Sequence, residues 1–194
     1  METKDWNDGR PTAFQRLVFI FVTLVLVPAS IFGSLAIKAR FSDGPSVVFS
    51  GGPLITGDLI TGSGSGSEPD WSFVRDIREF ELQLLNPVNS RRLWIVEVDN
   101  KLYLNSNYMG GLRQRLWKRW PEQAERDGRA LIRIDGKRYE RSLVRIRTGS
   151  IIDRITQAFS DKYPVNMTPE EVKSEELWLF ELAPRNSITI GDSS

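Results

Sequence analysis

The sequence predicts an α+β fold, in which a small antiparallel β-barrel with short helices follows one N-terminal transmembrane helix. A charge-free apolar run near the N-terminus predicts the transmembrane helix. Two short turn signals, each flanked by apolar residues in alternation, predict β-hairpins. The predicted order after the run is strands, helix, long hairpin, helix and strand. Such an order favours a small barrel over a doubly wound parallel sheet.

The apolar run covers 17–37 and lies between Arg16 and Lys38. At 1.5 Å per residue its 21 residues span roughly 31 Å, which matches the hydrocarbon core of a bilayer. A cleaved signal peptide is the alternative, because Ser34-Leu35-Ala36 resembles a small-x-small cleavage site. The length of the run favours the anchor. Lysine and arginine are slightly more frequent before the span than after it, which favours an extracytoplasmic domain.

The segment that follows the span is rich in glycine and serine and predicts a tether. Two apolar pairs within it, Leu54-Ile55 and Leu59-Ile60, are able to pack on the domain. The predicted organisation is a short N-terminal tail (1–16), the transmembrane helix (17–37), the tether (38–70), the domain (71–184) and a loose tail (185–194).

Alternating apolar residues and turn signals predict the strands. Asp99-Asn100 and Asp135-Gly136 are the residue pairs that tight hairpin turns favour. Because the alternation shifts near Ser142-Leu143, a β-bulge is predicted there. The many arginines of the second hairpin are predicted to form its solvent face. The predicted strands are Phe80–Leu84, Leu93–Val98, Lys101–Ser106, Ala130–Ile134, Lys137–Arg147 and Leu177–Leu182.

Three helices are predicted from their apolar spacing and end signals. The first covers Leu112–Asp127 in two pieces, because Pro121 interrupts it, and Gly128 ends it. The second begins at Ser150. The third begins at Thr168-Pro169-Glu170-Glu171, which places a cap, a first-position proline and a capping-box glutamate in register.

The chain contains no cysteine and no histidine. This composition excludes Ser-His-Asp and Cys-His catalysis, a Cys/His zinc site, and haem held by histidine or cysteine. An enzyme built from this chain therefore uses carboxylates, tyrosine, lysine or a bound cofactor. No metal site is predicted.

The stretch from Trp94 to Ile146 carries a resemblance to a known family. It contains Lys101-Leu102-Tyr103-Leu104-Asn105-Ser106, then Tyr108-Met109-Gly110-Gly111, Trp117-Lys118-Arg119-Trp120-Pro121 and the hairpin at Asp135-Gly136. This pattern resembles the flavin-binding split-barrel superfamily, which includes pyridoxamine-phosphate-oxidase-like proteins and deazaflavin-dependent nitroreductases. The resemblance covers about half of the chain and implies a split β-barrel, often a homodimer.

The resemblance also implies a cofactor, FMN or a deazaflavin, bound at the mouth of the barrel. Its phosphate would be held at the end of one strand and by basic or hydroxyl residues that follow, since arginine offers a bidentate fork to phosphate. Carried onto this chain, the implied cofactor-binding residues are Ser106, Asn107, Tyr108, Arg113 and Arg115, followed by Lys118 and Arg119.

Two functions follow from these observations. The first is a membrane-anchored flavin- or deazaflavin-binding oxidoreductase-like protein of unknown substrate. The second is a non-catalytic, membrane-tethered module whose basic groove binds an anionic ligand or a lipid headgroup, because 113–147 contains 12 basic and 5 acidic residues. The bilayer is the expected partner in both. No nucleic-acid partner is expected, since no recognition motif is present.

Overall fold

The computed structural model describes residues 12–45, 50–60, 68–107, 109 and 119–185. The chain forms two compact units, Met1–Lys38 and Ala39–Ser194. The first unit contains an apolar helix and the second contains the sheet.

The apolar helix runs over Ala13–Arg40, and its mean hydropathy reaches 2.4. It consists of α1 (Ala13–Phe21), a π-helical turn (Val22–Leu26) and α2 (Val27–Arg40). The π turn ends two residues before Pro28, whose ring lacks an N–H and disturbs the regular helical ladder. The helix is long and apolar enough to cross a membrane, a property that signal sequences share.

The second unit is a curled antiparallel half-barrel with helices, so the predicted fold class is confirmed. The strand order is β3-β2-β6-β7-β8-β5-β4, and β1 adds parallel to the first residues of β7. The strands are β1 (Asp58–Ile60), β2 (Glu79–Leu85), β3 (Val88–Trp94), β4 (Val96–Val98), β5 (Lys101–Ser106), β6 (Arg129–Ile134), β7 (Lys137–Ile146) and β8 (Trp178–Pro184).

The helices of this unit occupy the two faces and one end of the sheet. A 3₁₀ helix covers Ser72–Asp76, α3 covers Trp120–Arg126, α4 covers Ile151–Lys162 and α5 covers Pro169–Lys173. The predicted capping box at Thr168 is present, with reciprocal hydrogen bonds to Glu171.

Each face of the sheet has its own core. The inner face buries residues such as Leu82, Leu104 and Phe180 together with α3 and the 3₁₀ segment. The outer face buries the apolar stripe of α4, including Ile155 and Phe159, against β4, β5 and β8.

Both predicted hairpin turns are present. Asp99 and Asn100 have φ values of 55° and 57°, and Asp135 has a φ of 49° before Gly136, as a tight hairpin turn requires. The predicted strand 93–98 is instead split at Ile95. Its N–H donates to the Tyr163 hydroxyl at 3.0 Å rather than to a neighbouring strand.

The prediction for the second hairpin was wrong in two respects. The β7 ladder is continuous against both neighbours and contains no bulge at Ser142-Leu143. The apparent shift in alternation arises because Arg141 is buried on the inner face, where its guanidinium lies 4.9 Å from the Trp71 ring centroid. The arginines of this hairpin are therefore not all on a solvent face.

Part of the predicted tether belongs to the folded unit. Leu54 is buried, its N–H donates to Gln83 Oε1 at 2.6 Å, and Gly51 bridges to Ser90 of β3. The segment then continues into β1. Asp43 holds it in place by accepting hydrogen bonds from the Ile55 N–H at 2.7 Å and from Thr56.

We expect this attachment to depend on pH through Asp43. Burial raises the pKa of this carboxyl, but hydrogen bonds from Thr56, Ile55 and Arg133 outweigh it and hold the pKa well below its usual range. A carboxyl with a lowered folded-state pKa stabilises the fold above its ordinary pKa, and that stabilisation is lost as the pH falls. Asp43→Asn should therefore lower the free energy of unfolding by about 1–2 kcal/mol near neutral pH.

The difference between the wild type and Asp43→Asn should shrink as the pH falls below about 4, measured by chemical denaturation of the full chain in detergent. Asp58→Asn, at an exposed carboxylate of β1, is the matched control and should change stability by less than about 0.5 kcal/mol. A deficit for Asp43→Asn that persists unchanged at pH 3 would contradict this role of the carboxylate.

Candidate anion-binding site

Three arginines point toward the inner face of the half-barrel. Arg91 of β3 lies directly opposite Leu82 of β2, and paired residues of an antiparallel ladder share a face. Arg141 and Arg145 of β7 alternate with Leu143, which belongs to the inner core. Burying a guanidinium costs free energy unless the group is paired with an opposite charge. An arginine that has no such partner within the fold is therefore available to bind an anion.

Two of these arginines are paired with carboxylates. Arg141 Nη1 lies 2.7 Å from Glu68 Oε1. Arg145 lies 2.9 Å from carboxylate oxygens of both Glu125 and Glu175, and its guanidinium covers the Trp178 ring at 3.3 Å. Their charges are therefore neutralised within the fold.

Arg91 is different. No carboxylate of the described residues lies within salt-bridge distance of its guanidinium. Its one hydrogen bond there runs from Nη2 to Asn89 Oδ1 at 2.5 Å, and its Nε is buried without a partner. Burial lowers the pKa of Arg91 to about 10. The guanidinium is nonetheless charged at neutral pH, with N–H donors left over.

A short hydrogen-bonded chain fixes Arg91 in this position. Asn89 accepts from Arg91 and donates through Nδ2 to Gln123 Oε1 at 2.9 Å and to the Pro87 carbonyl at 3.0 Å. Gln123 Nε2 also donates to the Pro87 carbonyl, at 2.7 Å. Both amides are buried, so their orientation is set by this chain. It orients the arginine without neutralising it.

The indole of Trp120 supports the guanidinium from one side. The Arg91 Cζ lies 5.4 Å from the centroid of this ring, which is buried in the inner core and contacts Phe180 at 5.8 Å. A cation over an aromatic face is stabilised by the ring quadrupole. Trp120 begins α3, so this helix brings both the aromatic ring and Gln123 to β3.

This arrangement can bind an anion. A preoriented guanidinium with free donors, and with no carboxylate partner in the described part of the chain, forms charge-assisted, bidentate hydrogen bonds to phosphate or carboxylate oxygens. Proton transfer is not among its functions, because arginine keeps its proton at neutral pH. The described residues thus form a binding position and not, by themselves, a catalytic one.

The predicted cofactor residues are distributed differently. Ser106 is buried at the end of β5, where its hydroxyl contacts the Met109 sulfur at 3.5 Å. Asn107 Oδ1 accepts a hydrogen bond from Asn105. Arg119 is exposed and immediately precedes Trp120. The remaining predicted residues, Tyr108, Arg113, Arg115 and Lys118, lie outside the described residues.

The sequence reasoning missed Arg91 because it did not predict β3. Val88–Trp94 has little apolar alternation to identify a strand, and Arg91-Arg92 has the composition of a solvent-exposed pair. One signal was available. Arg91 stands two residues before Leu93, so period-two alternation places it on the face that Leu93 packs into the core.

The outer side of the domain has an open groove of about 1020 Å³ between α4 and the β4–β5 turn. Two of its carboxylates form ion pairs within the fold: Glu97 pairs with Arg75, and Asp99 pairs with Arg154. Across the described ranges, no group of three or more histidine, cysteine, aspartate or glutamate residues is placed to hold a metal ion. The inner-face arginine therefore remains the more specific site.

Comparison with known proteins assigns the chain to no family. No family model matches the chain, and no curated protein matches it. Among solved structures, the domain is similar to the conserved hypothetical protein Rv2991 from Mycobacterium tuberculosis, with 13% sequence identity and a TM-score of 0.42. The match covers 62% of this chain and 89% of that protein.

Proposed function

We propose that this protein is a membrane-tethered binder of a phosphate-bearing ligand, and that Arg91 contacts the phosphate. The observation that carries the proposal is the partly buried Arg91 guanidinium, which lacks a carboxylate partner among the described residues and rests on Trp120. Two neighbouring inner-face arginines each have carboxylate partners, so the missing counter-charge is specific to this position.

A flavin nucleotide or deazaflavin is the ligand class we favour. The half-barrel architecture is compatible with the predicted superfamily, and the donors of Arg91 fit a phosphate monoester or diester. When bound, a flavin supplies the electron-transfer chemistry that a chain without histidine or cysteine does not provide itself. The contribution of the chain is to hold and orient the phosphate.

A non-catalytic binder of another phosphate, such as a lipid headgroup, is the second candidate. The apolar helix favours it, because it would concentrate the domain at a bilayer. The burial of Arg91 on the inner face favours the cofactor, since a ligand must enter the barrel to reach it. We propose retention of the helix as an anchor, with the domain on the extracytoplasmic side.

The test is a titration of the full chain, purified in detergent, with FMN, riboflavin and inorganic phosphate. Riboflavin carries the same ring system without the phosphate, so the ratio of the two flavin affinities isolates the contribution of the phosphate. We expect FMN to bind at least about tenfold more tightly than riboflavin, as one charge-assisted bidentate contact implies. Visible absorbance and flavin fluorescence measure both.

Arg91→Gln should abolish that ratio, whereas Arg126→Gln, at an exposed arginine of α3, should leave it unchanged. Binding of phosphate by the wild type without any flavin binding would support the second candidate. Equal affinity for FMN and riboflavin, together with no effect of phosphate, would contradict the proposed function altogether.

A further inference from the structure

The junction between the apolar helix and the folded domain contains no free linker. The helix α2 ends at Arg40, yet Ala39 is already buried, and its carbonyl accepts hydrogen bonds from Gly52 at 3.1 Å and from Ser42 at 3.2 Å. Five residues after Ala39, the Gly44 N–H donates to the Pro53 carbonyl at 2.9 Å. The domain therefore begins where the helix ends.

This junction restricts the domain to the surface of whichever membrane holds the helix. The predicted span ends at residue 37, so Ala39 follows it by two residues, which reach at most about 7 Å of extended chain. Where the helix spans a bilayer, Ala39 and the residues that hydrogen-bond to it must then lie near the lipid headgroups. A flexible glycine- and serine-rich tether between the helix and Ala39 would have allowed the domain to move away from the membrane.

Exposed apolar side chains concentrate on the same segment. Beyond the helix, seven large hydrophobic residues of the described chain are exposed, and four of them fall within 41–60. Phe41 is 83% exposed, Ile55 is 59% exposed and Leu59 is 43% exposed. The fourth, Ile60, follows Leu59 in β1 and points to the opposite side of that strand. A concentration of exposed apolar side chains marks an interaction surface, whereas single ones are ordinary.

Hydrogen bonds fix the backbone that carries these side chains to the folded domain. The Ile55 N–H donates to Asp43, two residues after Phe41. Leu59 of β1 lies opposite Arg138 of β7 in the parallel strand pairing. The segment is fixed to the sheet by Arg138, which donates to the Leu54 and Gly57 carbonyls.

We propose that this surface, formed by Phe41, Ile55 and Leu59, inserts into the interfacial region of the bilayer. The occupant is lipid because the membrane span ends two residues before the folded segment that carries these side chains. Apolar side chains at this depth bury their area among headgroups and acyl chains. The nearby charges include both signs, Arg40 and Lys137 against Asp58, so apolar insertion and not headgroup charge provides the attraction. The inference rests on the proposed anchoring of the helix and not on phosphate binding.

The absence of cysteine from the chain makes a direct test possible. Single variants Ile55→Cys and Leu59→Cys of the full chain are labelled with bimane and reconstituted into phosphatidylcholine vesicles. Quenching by doxyl-labelled lipid reports contact with the bilayer, and quenching by iodide reports contact with water. Val144→Cys is the matched control, because Val144 is a 51% exposed apolar residue of β7 about 17 Å along the strand from the β1 contact.

We expect lipid quenching at positions 55 and 59 to exceed that at 144 by roughly threefold, with the opposite order for iodide. Equal quenching at 55, 59 and 144, with strong lipid quenching of Leu24→Cys in the helix, would overturn the inserted surface while leaving the anchor intact. Weak lipid quenching at position 24 as well would overturn the anchoring and the surface together.

Discussion

Replacement of Arg91 by methionine is expected to raise the free energy of unfolding of the ligand-free chain by about 1–2 kcal/mol. The substitution removes a partly buried charge that lacks a carboxylate partner in the described structure, and methionine keeps an apolar stem against Trp120. The gain exceeds the loss of the hydrogen bond to Asn89. Denaturant titration of the full chain in detergent, monitored by tryptophan fluorescence, measures the change.

The matched control is Arg141→Met, which should act in the opposite direction. Arg141 is paired with Glu68 and lies over Trp71, so its removal leaves a carboxylate without its partner and should lower stability by about 3 kcal/mol. A destabilising effect of similar size for Arg91→Met would show that Arg91 has a structural role. The interpretation of Arg91 as a binding group would then be wrong.

The second large effect is expected at Tyr163, which follows α4. It binds the backbone at Ile95, where the strand is split into β3 and β4. Its hydroxyl accepts from the Ile95 N–H at 3.0 Å and lies 2.6 Å from the Arg78 carbonyl. Tyr163→Phe keeps the stacking on Trp94 but leaves the buried Ile95 N–H without a partner. We expect a loss of about 2–3 kcal/mol in the free energy of unfolding.

Tyr139→Phe is the control for this prediction. Tyr139 also lies in the inner core, but none of the hydrogen bonds in the described structure uses its hydroxyl, so the loss should be below about 1 kcal/mol. Equal effects of the two substitutions would contradict the role of the Tyr163 hydroxyl as the hydrogen-bond partner of the backbone at Ile95.

Local signals account for the elements that the sequence predicted. The hairpin at Asp135-Gly136 and the helix that begins after Thr168 depend on residues within a few positions of each other, and both are present. The strand β3 was missed because its polar residues carry little alternation. Its place in the sheet depends on pairing with β2, and local propensity gives little information about such tertiary pairing.

The candidate site shows the same division between local and long-range information. The sequence directed attention to the basic residues 113–119, where charge is dense. What distinguishes Arg91 is that no carboxylate of the described ranges pairs with it, which only the packing of β3 against α3 reveals. Conversely, Arg141 and Arg145 looked like solvent-facing residues, yet both are held against tryptophans on the inner face.

The most direct test of the account is the thermal stability of the wild type and of Arg91→Met across a series of inorganic phosphate concentrations at constant ionic strength. A ligand that binds only the folded state stabilises it by about 2.7 kcal/mol at 100 times its dissociation constant. We predict that the wild type is stabilised progressively and that Arg91→Met, which starts higher, stays constant. An equal rise for both proteins, or no rise for either, would contradict the claim that Arg91 binds phosphate.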